Sequence, residues 1–111
     1  QQRRSIAYVL EALEAKGLLI SPSTLRRYTE LIGGQSRSAG PPYYRTYEPE
    51  DLQKIEGMVY LRGLGYGEAE AADWIRQPDR AGLRARMEGV QRLLRMAEDA
   101  LLEPNLEPKT A

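Results

Sequence analysis

The sequence predicts a mainly α chain: a helix-turn-helix that carries a small β-hairpin and is followed by a C-terminal coiled-coil helix. Three observations predict it. Two short helical stretches, each opened by a capping serine, follow one another between Ser5 and Leu31. A stretch rich in Gly, Pro and Tyr, GGQSRSAGPPYYRTY, then interrupts helix formation. Finally, Leu83, Met87, Val90, Leu94, Ala97 and Leu101 are spaced 4, 3, 4, 3, 4, the a/d rhythm of a coiled coil. The expected division is residues 1–78 for the first domain, 79–103 for a dimerisation helix and 104–111 for a polar tail expected to be disordered.

Ser5 caps the first expected helix, whose apolar positions Ile6, Val9, Leu10 and Leu13 recur at helical spacing before Gly17 ends it. Ser21 caps the second, with Pro22 at the first helical position, where its missing N–H costs nothing. This helix is expected to run to Leu31, with Leu25 and Leu31, together with Tyr28 or Ile32, turned inward. The tyrosines after Gly33 favour extended structure, so a hairpin is expected with its tip near Gln35 to Gly40. Pro49 opens a third helix whose first turn is acidic, complementing the helix dipole, and whose apolar face is Leu52, Ile55, Val59 and Met58. After Gly63 and Gly65, Gly67 leads into a fourth helix with Ala71, Trp74 and Ile75 inward and Pro78 as the stop. In the last helix, Leu93 and Ala100 widen the apolar strip beside the a/d seam, while Gly89 weakens the helix.

Composition narrows the chemistry. The 111 residues contain no Cys and no His, which removes thiol and imidazole catalysis, disulfides and the common soft-metal sites. No cofactor and no metal are expected. No run approaches the roughly 20 apolar residues of a bilayer-spanning helix, so no membrane partner and a cytoplasmic, nucleoid-associated location are expected. Formal net charge is zero, yet residues 1–47 hold seven basic against three acidic side chains, and the remainder reverses that balance. Such asymmetry points to a basic working face in the first lobe. Two acidic clusters, Glu48, Glu50, Asp51 and Glu68, Glu70, Asp73, fall in the first turns of expected helices, where the dipole explains them without catalysis. A phosphate-binding glycine loop is also missing, and an enzyme is not expected.

The second helix, SPSTLRRYTE, places Ser23, Thr24, Arg26 and Arg27 outward. A helix of this length fits the major groove of duplex DNA, and Arg can bond guanine bidentately. Two adjacent arginines by themselves also read as solvated surface charges. The order of segments adds to the DNA reading: STLRRYTE, then YRTYEPEDL, then LRGLGYGEAEAADWI, together within residues 5–77, resembles the N-terminal region of the MerR family of bacterial transcription regulators. That resemblance implies a winged helix-turn-helix and assigns Ser23, Thr24, Arg26 and Arg27 to the helix entering the groove. It implies phosphate contacts from Tyr28 and from Arg45 in the wing, with Tyr44, also a candidate at the DNA-binding surface, and Tyr47 holding the wing to the third helix. Arg37 at the wing tip is a further candidate for the DNA backbone or minor groove, and Arg3 and Arg4 for an N-terminal arm.

Departures from the family pattern are a longer insert, GGQSRSAGPP, and a second helix ending in Leu31, Ile32 and Gly33. The cysteines of metal- and redox-sensing members are missing, as is any stretch long enough for a large effector domain. In the family the last helix pairs antiparallel with its twin, which makes Leu83, Met87, Val90, Leu94, Ala97 and Leu101 the expected homodimer seam. An intramolecular helix packing back on the fourth shares the same spacing. The expected partners are double-stranded DNA and a second copy of the chain, with RNA polymerase as a further candidate. Other readings of the same residues are an architectural, excisionase-like or chromosome-segregation DNA-binding protein, or a coiled-coil interaction adaptor.

Overall fold

The computed structural model of the protein describes residues 4–33, 37–38 and 45–102, with 37, 38, 45 and 46 described as backbone only. Among these, the chain is mainly helical. In order, the elements are β1 (Arg4–Ser5), α1 (Ile6–Glu14), α2 (Pro22–Leu31), β2 (Arg37–Ser38), β3 (Arg45–Tyr47), α3 (Pro49–Gly63), α4 (Glu68–Arg76) and α5 (Arg80–Leu101). The chain divides into two compact units, Gln1–Pro78 and Asp79–Ala111.

The helix boundaries follow from local chemistry. Ser5 Oγ accepts from Tyr8 N at 3.2 Å and Ser21 Oγ from Thr24 N at 3.1 Å, satisfying N–H groups that a helix start leaves open. At α3, Asp51 Oδ2 accepts from Glu48 N at 3.2 Å, and at α4 Glu70 Oε1 accepts from Gly67 N at 3.0 Å, so the acidic first turns serve as caps. Two helices end alike. Leu18 N reaches back to Leu13 O at 2.9 Å and Gly17 N to Glu14 O at 2.8 Å, while Tyr66 N reaches Leu61 O and Gly65 N reaches Arg62 O, both at 3.0 Å. Each closure needs a left-handed residue, supplied by Gly17 at φ 80° and Gly65 at φ 99°.

The sheet differs from the expected hairpin. β3 pairs antiparallel with β2, in the register Arg37 to Thr46 and Ser38 to Arg45. On its other edge it also pairs antiparallel with β1, Arg4 to Tyr47 and Ser5 to Thr46, giving the order β1-β3-β2. Arg4, expected in an N-terminal arm, is therefore part of the sheet, and its guanidinium carbon lies 4.6 Å from the centre of the Tyr8 ring. The sequence offered too short a β signal here, a mere Arg-Ser pair, to be recognised. The tip expected near Gln35 to Gly40, apart from the backbone of 37 and 38, lies outside the described residues, as do Arg3 and the tail 104–111.

The core of the first unit is Val9, Leu13, Leu25, Tyr28, Ile32, Tyr47, Ile55, Met58, Leu61, Tyr66, Ala71 and Ala72, with Thr29 and Asp51 as its polar members. α3 is the hub, packed against both α2 and α4. Its buried face is Asp51, Ile55, Met58 and Leu61, rotated from the expected one, so Leu52 and Val59 flank it half-buried. In α4 the fully covered pair is Ala71 and Ala72, while Trp74 and Ile75 are half-buried. Close helix approach explains the exchange: two methyl groups let the backbone of α4 come near, and Gly57 on α3 leaves room for Ile75, whose Cδ1 would stand 2.9 Å from a Cβ there. In α2, Thr29 is buried instead of Leu31, its hydroxyl donating to Leu25 O at 2.7 Å.

Because Ile55 is fully covered at the hub, Ile55→Ala is expected to lower unfolding free energy by about 2–5 kcal/mol, a large part of the ~5–15 kcal/mol of a typical domain. Urea denaturation measures it. Leu19, 76% exposed in the turn between α1 and α2, is the matched control; Leu19→Ser should stay within about 0.5 kcal/mol.

Candidate nucleic-acid interface

The rotation of α2 determines what it presents. Leu25, Tyr28, Thr29 and Ile32 form one buried stripe, so Ser23, Arg26, Arg27 and Glu30 lie on the opposite, exposed side. Tyr28 belongs to the packed stripe at 6% exposure, in line with its expected inward position. Its spacing, three after Leu25 and four before Ile32, is that of a core position. Thr24 is half-buried and shares in the helix cap: Ser21 Oγ donates to Thr24 Oγ1 at 3.0 Å and stands 3.0 Å from Ser23 Oγ.

The two arginines of α2 are not equivalent. Arg26 is exposed and makes no ion pair among the described residues. Arg27 is held by α4: its Nε donates to Glu68 Oε1 at 2.9 Å and its Nη2 to Glu68 Oε2 at 2.8 Å, two parallel bonds of fork-to-fork geometry. The bond from Arg27 holds the Glu68 carboxyl below the ordinary carboxylate range, and the same bond raises the guanidinium. Glu68 was read from sequence as a dipole-complementing carboxylate; its pairing with a residue forty-one positions earlier has no local signal.

Two further polar ties position the interface. Arg76 of α4 donates from Nη1 to Leu31 O at 2.5 Å and from Nη2 to Asp73 Oδ1 at 2.6 Å, placing a cation on the open carbonyl end of α2. Lys16, after α1, donates to Glu56 Oε2 on α3 at 2.7 Å, and Tyr60 OH donates to the same oxygen at 2.7 Å. The six carboxylates of the two acidic clusters include two helix caps, Asp51 and Glu70, and two arginine partners, Glu68 and Asp73. Among the described residues no group of three or more His, Cys, Asp or Glu is placed to hold a metal ion. No described helix is long and apolar enough to cross a membrane.

Of the remaining expected contacts, Tyr44 lies outside the described residues, and Arg37 and Arg45 are placed as backbone in β2 and β3, paired across the sheet with Thr46 and Ser38. Tyr47, expected to hold the strand to the third helix, is fully buried. Of the expected seam, Leu83, Val90 and Ala97 are half-buried, whereas Met87, Leu94 and Leu101 are exposed, as are Leu93, Met96 and Leu102 beside them. No residue of α5 is buried.

No protein-family model, curated protein or solved structure matches the chain.

The Lys16–Glu56 tie makes stability depend on pH in a definite sense. Hydrogen bonds from Lys16 first, then Tyr60, lower the Glu56 carboxyl from its ordinary 4.5. A depressed carboxylate stabilises the fold above 4.5, and that contribution is lost as pH falls through its folded value. The urea midpoint is therefore expected to fall in acid, with Glu56→Gln less stable than the parent at neutral pH and the gap closing as the Glu56 carboxylate is protonated in the folded protein. Parallel curves for the two proteins at all pH values would remove the tie from the stability of the fold.

Proposed function

We propose that the protein binds double-stranded DNA sequence-specifically as a homodimer and acts in transcriptional regulation, with the first unit as a winged helix-turn-helix resembling that of the MerR family. The observation that carries the reading is the outer face of α2. Ser23, Arg26 and Arg27 stand on a side that its own unit leaves open, on a ten-residue helix whose other side is locked into the core. A rigid, exposed, Arg-bearing helix is the element that major-groove readers insert, and the excess of basic side chains in residues 1–47 supplies attraction to phosphate. The antiparallel β2–β3 pair, following α2 in the chain, supports reading this segment as a wing.

Dimerisation is supported by α5. Its 22 residues carry an apolar seam with no buried member, flanked by Arg84 near its start and Glu98 near its end, with Glu88, Arg92 and Arg95 between them. Antiparallel copies bring opposite charges together along the seam, whereas parallel copies oppose like charges. Two-fold pairing doubles the phosphate contacts and calls for a pseudo-palindromic site.

Duplex affinity is accordingly expected to fall steeply with salt. Arg26→Ala should weaken binding and lower the log–log salt slope by about 0.9, the share of one phosphate contact. Selection from a random duplex library should return a palindrome; no measurable duplex binding would leave the interaction-adaptor reading. Leu94→Glu places charge in the seam and should give a monomer by sedimentation, and an intact dimer would put the interface elsewhere.

A further inference from the structure

Arg27 and Glu68 form a composed unit whose two members come from different helices. The carboxylate takes the side edge of the guanidinium, Nε and Nη2, at 2.9 and 2.8 Å. A guanidinium has five N–H donors. Two are spent on Glu68, and among the described residues no acceptor engages Nη1. What remains is the end edge, Nη1 with the second hydrogen of Nη2, a donor pair with the fork spacing that matches two acceptors side by side. Side-chain exposure agrees: Arg27 is 50% exposed at this position and Glu68 28%, so the carboxylate lies behind and the arginine in front. The Tyr28 ring adds support, its centre 6.0 Å from the guanidinium carbon.

The charge of the unit matters as much as its shape. Arg27 and Glu68 together are neutral, so their attraction for a phosphate, which depends on net charge more than on angle, is largely cancelled. Directional hydrogen bonding from the end edge is not. A guanine in the major groove presents O6 and N7 as two neighbouring neutral acceptors, which an end-on arginine fork satisfies. Arg26, one position earlier and without a paired carboxylate among the described residues, keeps its full charge for the backbone.

Resting on the DNA-binding reading above, we infer that Glu68 is a specificity-determining positioning residue, which fixes Arg27 end-on so that Arg27 reads a guanine while Arg26 serves as a phosphate anchor.

The test uses the full chain and the duplex that library selection returns, with each G·C pair exchanged in turn for A·T. The parent protein should prefer G·C at one position per half-site by about 5- to 150-fold. Glu68→Ala should reduce that preference to about threefold or less, without lowering affinity for random duplex, and should raise the salt slope by up to about 0.9 because Arg27 regains an uncompensated charge. Arg27→Lys, which retains charge without the fork, should lose the same preference at the same position. Glu68→Gln keeps an acceptor of the same size and should retain part of the preference, which separates orientation from loss of fold; thermal midpoints are measured alongside. Unchanged preference in a folded Glu68→Ala protein overturns this inference alone. A preference that disappears at the Arg26→Ala exchange and persists in Arg27→Lys overturns the division of roles. Failure of the parent protein to bind any duplex overturns the DNA-binding reading, and this inference with it.

Discussion

Burial of one stripe of α2 is the constraint from which the rest of the first unit follows. Ten residues are too few for a helix to be stable alone in water, because nucleation is costly and few bonds are gained. α2 exists because Leu25, Tyr28, Thr29 and Ile32 are covered by the unit whose hub is α3. The same burial sets the rotation of the helix about its axis. A change of one position in that rotation would bring Arg26 inward, at the heavy cost of a buried unpaired charge. What the helix shows to solvent is thus a consequence of what it hides.

Polar ties then hold α2 at its ends and on its flank. Ser21 satisfies the first turn from within, while Arg76 satisfies the Leu31 carbonyl from α4. Arg27 reaches to the same helix, at Glu68, so α4 grips α2 at two points. Exposed ion pairs of this kind stabilise weakly because water competes for both partners and the side chains lose rotamer freedom. Their larger effect is geometric: two planar groups meeting edge to edge restrict each other's orientation far more than a single contact does. A similar arrangement at Lys16, Glu56 and Tyr60 ties the turn after α1 to the hub helix.

α5 poses a different physical problem. A 22-residue helix that fully buries none of its apolar side chains, with Leu93, Leu94, Met96, Leu101 and Leu102 all more than half exposed, has little hydrophobic gain to offset chain entropy beyond its own backbone bonds. Capping by Asp79, which accepts from Gly82 N at 3.0 Å, starts the helix but adds little to its length. Exposed apolar strips of this width are uncommon on monomeric proteins.

The local signals were legible because they act within about one turn of helix. Ser5, Ser21 and Pro22, Pro49, Gly17 and Gly65 each mark a boundary through a bond or a dihedral that neighbouring residues control. Amphipathic spacing likewise gave the buried stripe of α1 and the apolar strip of α5. The sequence by itself determined where helices start and stop, that residues 1–47 carry an excess of basic side chains, and which face of the last helix is apolar. Tertiary structure decided the rest: that Ala72 is more deeply buried than Trp74, that Leu61 and Asp51 join the core in place of Val59, that Arg4 and Ser5 add an edge strand, and that Arg27 but not Arg26 has a carboxylate partner. Each of these depends on how closely two elements approach or on a partner some forty residues away. Neither distance is encoded in nearest-neighbour chemistry, because adjacent arginines are alike until the fold brings Glu68 beside one of them.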